Sequence, residues 1–567
     1  MPYRAPVEEI AFCASKIVGQ EMLADTELFA EATAETRQAI LDEAAKMCEG
    51  ALEPVQRAGD LHPARLENGV VRCSPGYREA YEAIAEGGWV GMSASPEHGG
   101  MGLPISFATY VNEMMSSACL SLSLCPLMSQ GQIEALEAHA SRELQELYLP
   151  KLISGEWTGT MNLTEPQAGS DVGALSTKAE PNGDGTYAIT GQKIYISWGD
   201  HDVAENICHL VLARLPEGVP GTKGISLFLV PKFLPDEAGN PGVANTLRPI
   251  SLEHKLGLHG SPTAVMEYQA ARGWMVGPEH GGMAAMFTMM NNARLGVAVQ
   301  GLGVAEAATQ MALAYAADRR QGRTADGTAS IMGHADVRRM LMTMKGMTQA
   351  ARAICYDCAF SLDMAQAEPE GPHKARGAFL TPIAKAFATD TGSEVAELGV
   401  QVHGGMGFIE ETGAAQFARD VRVTRIYEGT NGIQAMDLIG RKLGDGGAAA
   451  EGLLGDVAAT ADAARAAGHD LLAKALEAAH SKAKGVTGWM VKASMGDRAA
   501  GATPFLRMWA FVLGAHYLTK GALADESRMP MAAFFVHQLL PQAHALAQAA
   551  TAGAEPLYEL DAEALSA

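Results

Sequence analysis

Basic residues are in short supply in this 567-residue chain: 43 lysines and arginines face 65 acidic residues, for a net charge of −22. Phosphate backbones and anionic lipid surfaces are bound by basic patches, so this balance argues against a general nucleic-acid binder and against a membrane-surface protein. A small anionic ligand is still served where arginines cluster locally. No apolar run reaches the ~20 residues that a transmembrane helix needs. Residues 1–20 carry charges throughout and lack an apolar h-region, so no secretory leader is expected. Cysteine is sparse and scattered: of eight, only Cys355 and Cys358 lie close together, with no second pair at zinc-site spacing. That pattern predicts buried free thiols, no metal site and a reducing, cytoplasmic setting. There is no internal repeat and no low-complexity tail.

What is present is globular composition, 48% hydrophobic and 19% charged, with 29 methionines available as adaptable core filler. The length predicts about three or four domains. Apolar spacing is mostly helical up to about residue 155, broken by turns at 87–91 and 99–104 where glycine and proline are dense. The period then changes. Residues 186–190, 193–197, 207–213, 224–231 and 263–268 read as short strands, with a turn at Asn182-Gly183-Asp184-Gly185. This predicts a small sheet or barrel. From Gly281 the helical period returns, over 283–318, 330–366 and 380–400, with a break at 368–372. After the Gly444-Asp445-Gly446-Gly447 break, residues 450–567 are alanine-rich and helical, with interruptions predicted at 495–497 and 502–504. The expected boundaries are 1–159, 160–278, 279–445 and 446–567.

Three stretches offer chemistry. Leu163-Thr164-Glu165-Pro166-Gln167-Ala168-Gly169-Ser170-Asp171 supplies hydroxyls and backbone N–H groups among small residues, which suits a planar heterocycle or a pyrophosphate. A loop making its own turns fits the same residues. Gln401-Val402-His403-Gly404-Gly405-Met406-Gly407-Phe408 is a second dense stretch. In Arg425-Ile426-Tyr427-Glu428-Gly429-Thr430-Asn431-Gly432, Glu428 is a lone carboxylate beside Tyr427 and Gly429. Apolar neighbours raise a carboxylate's pKa toward the range of a general base, and the glycine permits close backbone approach to a ligand. On the octapeptide alone, a solvated glutamate at a helix end fits as well.

Together these motifs, in this order and spacing, resemble the flavin-dependent acyl-CoA dehydrogenase family over roughly residues 45–443. The resemblance implies an α+β fold: an N-terminal α-domain, a central β-domain and a C-terminal helical bundle, with FAD between them, plus here an extra helical unit. It implies Glu428 as the base that takes an α-proton while the β-hydrogen leaves as hydride to the flavin, and the Glu428 N–H with a ribityl hydroxyl polarising the thioester carbonyl. Leu163 and Thr164 are implied at the flavin ring, with Gly169 in the same loop. Ser170 is implied near the pyrophosphate and the pantetheine. Tyr195 and Ser197 match positions often held by Trp and Thr against the isoalloxazine, so an aromatic wall and a hydroxyl are kept. Arg319 and Gln321 match the segment that grips a neighbouring subunit's FAD, with Gly322 in place of a usual Phe. Gln401, Gly404 and Gly405 match the stretch that reaches the neighbour's adenosine half. Arg294 matches an arginine on the CoA chain. Tyr427, Glu428 and Gly429 match the substrate side, and Thr430 a ribityl or phosphate contact. Some relatives carry the base near Asn291-Asn292, which are amides here. Electron-transfer flavoprotein is the implied oxidant and a homo-oligomer, a dimer for preference, the implied assembly. The lead-in and the ~120 residues beyond Gly444 resemble the branch containing 3-methylmercaptopropionyl-CoA dehydrogenase, of dimethylsulfoniopropionate breakdown. A general short- or medium-chain dehydrogenase, an acyl-CoA oxidase and a DNA-associated binding member are the alternatives.

Overall fold

The computed structural model describes residues 2–567, the side chain of Asn291 excepted. The chain opens with α1 (Val7–Phe12), a π-helical turn over Cys13–Val18 and α2 (Ala34–Met47). Helix α3 (Glu53–Leu61) follows. A hairpin of β1 (Arg65–Glu67) and β2 (Val70–Arg72) then interrupts a region whose spacing reads as helical. Its turn, Asn68-Gly69, has both residues at positive φ, the geometry that two-residue hairpins demand. Helices α4 (Tyr77–Glu86), α5 (Ile105–Ala118), α6 (Leu120–His139) and α7 (Arg142–Ile153) complete the first helical run.

Nine strands come next: β3 (Trp157–Asn162), β4 (Lys178–Pro181), β5 (Tyr187–Ser197), β6 (Asn206–Arg214), β7 (Ile225–Pro231), β8 (Phe233–Pro235), β9 (Pro241–Ala244), β10 (Leu247–Leu252) and β11 (Thr263–Val276). The two runs at 186–190 and 193–197 are thus one strand, because alternation passes through Gly191-Gln192 without a turn. The pairings β5–β4, β4–β6, β6–β7, β7–β11 and β11–β5 close a ring, with β10 on β11 and β3 on β6. Ile189, Ile196, Val211, Phe228, Val230, Met266 and Tyr268 fill its core.

Helix α8 (Gly282–Asp318) is followed by α9 (Ala335–Ala367), α10 (His373–His403), α11 (Ala414–Val421), α12 (Asn431–Asp437), α13 (Ala448–Ala466), α14 (Asp470–Lys492), α15 (Met495–Ala524), α16 (Met529–Phe534) and α17 (Pro541–Ala550). The interruption expected at 502–504 is absent: Pro504 lies inside α15. A proline there forfeits one backbone bond, but Phe505, Leu506, Met508 and Trp509 are buried around it, and that burial outweighs the loss. The break comes earlier, at Ser494, whose hydroxyl caps the helix by accepting the Asp497 N–H at 3.2 Å.

The chain divides into two compact units, one of residues 2–5 and 42–296, the other of 6–41 and 297–567. In the second unit the lead-in is joined to the C-terminal extension. Arg528 donates to both Glu9 oxygens, at 2.9 and 2.7 Å, and its guanidinium lies 3.6 Å from the centre of the Phe12 ring. A polar knot, buried at Asp357 and Tyr517, ties the extension to the bundle. Arg376 bridges Asp357 and Asp456, each at 2.6 Å, and the Tyr517 hydroxyl also donates to Asp357. All eight cysteines are free thiols, and no described helix is long and apolar enough to cross a membrane.

Candidate active site

The predicted residues fall on both units, and those of each unit are held differently. In the unit of residues 42–296, strand β3 ends at Asn162 and the chain enters the loop that holds Leu163, Thr164, Gly169 and Ser170. The loop is pinned by Glu165, whose backbone exchanges hydrogen bonds with Ala168 at 3.0 and 2.9 Å. Its carboxylate accepts from the N–H and hydroxyl of Ser176 (2.7 and 2.8 Å), those of Thr177 (3.0 and 2.6 Å), Gln167 (2.7 Å) and Lys193 (2.9 Å). Lys193, on β5, also donates to the Leu163 carbonyl at 3.0 Å. The two charged side chains are 0% and 2% exposed. Burial opposes both charges. Glu165 collects six donors, with Lys193 and Thr177 foremost, and is driven down to about 2; Lys193 has fewer compensating partners, and burial takes it down to about 8. At neutral pH both remain ionised.

On the same strand, Tyr195 sits at φ +60° and is 60% exposed, and Ser197 is half-buried. A bulky residue at positive φ is strained, and here the strain turns an aromatic face outward. Gly169 and Ser170 are exposed, and a Cβ at Gly169 would meet nothing within 4 Å. Among the described residues, neither the Thr164 N–H nor its hydroxyl has a protein acceptor. Beneath the loop, Asn162 contacts His209 at 3.2 Å and accepts the Tyr268 hydroxyl at 2.9 Å; burial lowers His209 to about 3, so it is neutral.

Arg294, on α8 in this unit, is buried. Asn291 belongs to the same helix, but its side chain lies outside the described residues. Asn292 hydrogen-bonds Glu134 of α6, a carboxyl that burial raises to about 7 and whose second oxygen is buried without a partner. Sequence reasoning missed Glu134, because α6 and α8 are joined by more than a hundred residues that carry no spacing signal.

In the unit of residues 297–567, α11 and a 3-10 turn over Arg422–Arg425 lead into the turn that carries the candidate base. Glu428 has φ +54° and Gly429 φ +80°. A left-handed glutamate costs about 1 kcal/mol or more and persists only where its surroundings over-determine it. They do so through carbonyl oxygens. Gln434 donates to the Glu428 carbonyl at 3.1 Å, and fully buried Lys385 donates to the Gly429 carbonyl at 2.8 Å and to Asn431 Oδ1 at 2.9 Å. Asn431 in turn donates to Asp390 at 2.9 Å, which pairs with Arg425 at 2.7 Å. The Tyr427 hydroxyl donates to Gln300 Oε1, and burial holds that phenol far above its usual range. Thr430 caps α12, its hydroxyl accepting the Ile433 N–H at 3.2 Å, which leaves the hydroxyl proton available for donation. Lys385 and Gln434 were not foreseen; Gln434 lies six residues from Glu428 in plain view, whereas Lys385 is a helix away.

Arg319, Gln321, Gln401, Gly404 and Gly405 are all exposed on this unit. A Cβ at Gly404 or Gly405 would meet nothing within 4 Å, and Phe408 beside them is 85% exposed. Gly322, which stands where the resemblance has a usual Phe, is at φ +72°, a conformation that favours glycine.

Four family profiles match the chain. They are the acyl-CoA dehydrogenase N-terminal domain (34–156), middle domain (160–271) and C-terminal domain (280–444), and the acetyl-CoA dehydrogenase C-terminal-like domain (453–561). The 3-methylmercaptopropionyl-CoA dehydrogenase of Ruegeria pomeroyi is 45% identical over 545 residues, covering 93% of this chain and 92% of that protein. The broad-specificity linear acyl-CoA dehydrogenase FadE5 of Mycobacterium tuberculosis is 32% identical, covering 95% and 96%. The structure of Caenorhabditis elegans ACDH-11 in complex with C11-CoA superposes with a TM-score of 0.75 at 20% identity, over 98% of this chain and 92% of that one, a likeness of fold.

Proposed function

The chain belongs to the acyl-CoA dehydrogenase family, and from that premise we propose that it oxidises a short thioether acyl-CoA, 3-methylmercaptopropionyl-CoA, to 3-methylthioacryloyl-CoA. The observation that carries this reading is the match to the Ruegeria pomeroyi enzyme, which covers 93% of this chain and 92% of that protein at 45% identity. A thioether sulfur is about the size of a methylene and nearly as apolar. Butanoyl-CoA is therefore an expected second substrate, since a pocket separates one methylene by only about 1–3 kcal/mol. The relation to FadE5, named for broad specificity, favours a general linear acyl-CoA dehydrogenase as the second reading.

The residues fit FAD. The Thr164 N–H and hydroxyl are donors without a protein acceptor, Tyr195 presents an open aromatic face, and Gly169 leaves room for close approach. Leu163, Thr164, Gly169, Ser170, Tyr195, Ser197 and Thr430 would hold the cofactor. Arg319, Gln321, Gln401, Gly404 and Gly405 would hold that of a neighbouring copy, which makes flavin retention depend on assembly, with a dimer preferred. Bound FAD supplies the acceptor for the β-hydrogen, and electron-transfer flavoprotein is the proposed onward oxidant. Glu428 takes the α-proton. The Glu428 N–H polarises the thioester carbonyl, which an α-carbon needs because it is otherwise a poor acid. Arg294 and Ser170 would hold the CoA chain, with Tyr427 and Gly429 shaping the acyl end.

The test is kcat/KM across 3-methylmercaptopropionyl-, butanoyl-, hexanoyl- and dodecanoyl-CoA, with flavin bleaching followed anaerobically. The first two are expected to lead; a best value for dodecanoyl-CoA overturns the short-chain assignment, and rapid turnover with oxygen as acceptor would make the enzyme an oxidase.

A further inference from the structure

The Leu163–Thr164 peptide group is fixed from one side only. Its carbonyl accepts from the buried ammonium of Lys193 at 3.0 Å. A trans peptide is planar, and its C=O and N–H point in opposite directions. With the carbonyl turned in to Lys193, the Thr164 N–H is turned away from it. The next carbonyl along, that of Thr164, accepts from the Ile194 N–H at 2.9 Å, and the Glu165 N–H is used by Ala168 at 3.0 Å. The backbone groups on either side of the Thr164 N–H are therefore consumed, and that N–H, with no protein acceptor among the described residues, is the one left over. A charged donor on the carbonyl also polarises the peptide, which strengthens its N–H as a donor.

Lys193 is held in turn. Its second partner is Glu165 at 2.9 Å, and Glu165 is locked by Ser176 and Thr177. A fully buried ion pair is expensive and adds little net stability over an apolar pair of the same size. Its presence under a loop that already has its own backbone bonds calls for another role.

We infer that Lys193 is a positioning residue: it orients and polarises the Leu163–Thr164 peptide so that the Thr164 N–H is presented as a donor to an acceptor atom of the flavin ring. The inference rests on the FAD reading above and deepens it. Lys193 itself touches neither cofactor nor substrate. Losing the ammonium frees the peptide to rotate, and it removes the polarisation that would stabilise negative charge on the ring.

The experiment compares wild type, Lys193→Met and the double variant Lys193→Met/Glu165→Gln, each prepared with FAD and then deflavinated for titration. The double variant removes both charges, so no unpaired buried ion remains to unfold the loop. FAD dissociation constant, visible spectrum, flavin midpoint potential and Tm are measured for each. The expectation is that the double variant recovers wild-type Tm but still binds FAD about tenfold more weakly, the worth of one oriented hydrogen bond, with an altered band shape and a more negative potential. Recovery of Tm together with wild-type affinity and potential would mean that the pair serves stability alone, and would overturn the inference. Should neither variant fold, amide exchange on the wild type decides: the Thr164 N–H is expected to exchange more slowly once FAD is added, and an unchanged rate rejects the proposal. A wild-type protein that holds no flavin at all would instead count against the FAD reading.

Discussion

In the β-domain the loop bearing Thr164 and Ser170 is tied down by a side-chain carboxylate, Glu165, which takes six hydrogen bonds and is driven to about 2. In the helical unit the turn bearing Glu428 is tied down through backbone carbonyls, by Gln434 at 3.1 Å and Lys385 at 2.8 Å. Both carboxylates sit in motifs of similar length, yet they are tied down in different ways. A glutamate saturated with donors is so weak a base that it serves as a structural anchor. At Glu428 it is the backbone carbonyl that is held, and the turn carries a φ of +54°.

The sharpest way to break that comparison is to neutralise each carboxylate in turn. Glu428→Gln is expected to keep flavin colour and Tm and to lower kcat by at least the ~10²–10⁴-fold that a general base supplies. Glu165→Gln should do the reverse, costing about 3–5 kcal/mol because Lys193 is left charged, buried and unpaired. Stopped-flow turnover and thermal melts on both proteins check it. Near-normal turnover in Glu428→Gln would remove it as the base, and an unaltered melt in Glu165→Gln would remove the anchor.

Lys385 carries the second prediction. Replacing it by Met removes the donor to the Gly429 carbonyl and releases a left-handed turn that does not hold itself. The expected outcome is about a 10- to 100-fold fall in kcat with a smaller change in KM, since misplacing a base chiefly weakens the transition state. Equal loss in both parameters would mean that the turn serves binding rather than base placement.

Much of this was legible beforehand. Thr164, Ser170 and Glu428 stand out by residue type and surroundings, Tyr195 and Thr430 enter only through the family resemblance, and the switch from a period of two back to helical marks the end of the strands. What holds them in place was not legible. Lys193 is in plain sight within a strand motif, but nothing in its neighbourhood shows that its ammonium meets a carbonyl thirty residues earlier. Lys385 lies 44 residues from Gly429, and Glu9 lies 519 from Arg528. Contacts at such separations leave no periodicity. Pro504 failed in the opposite way, since a local rule spoke clearly and tertiary burial overrode it.

A third carboxylate, Glu134, sharpens the contrast from outside both motifs. Burial raises it from 4.5 to about 7, the reverse of Glu165. A raised carboxyl pKa means that the folded state disfavours the charge. The penalty is absent below pH 4.5, grows as pH rises toward 7 and is complete above it. Glu134→Gln should therefore match wild type in stability near pH 4.5 and exceed it at pH 8 by about 1–3 kcal/mol, read from denaturant midpoints. A variant less stable at both pH values would show that the charged form is the one that the site was built to hold.

The smallest effect expected is at Tyr427, next to the proposed base. Its hydroxyl donates to Gln300 Oε1, and Gln300 is 1% exposed. The phenol is pushed up by burial, so it stays a donor throughout the working pH range. Tyr427→Phe leaves the ring in place and strands one buried acceptor, which costs about 1 kcal/mol. Because Lys385 and Gln434 hold the turn independently, kcat should fall only a few-fold, far less than for Lys385→Met. Gln300→Leu removes the stranded acceptor, so the pair Tyr427→Phe/Gln300→Leu should regain most of the lost stability, and the cycle of four proteins isolates the coupling. If Tyr427→Phe instead matches Lys385→Met in kcat, the hydroxyl rather than the carbonyl clamp fixes Glu428, and the base-side turn is held by a side chain as the β-domain loop is.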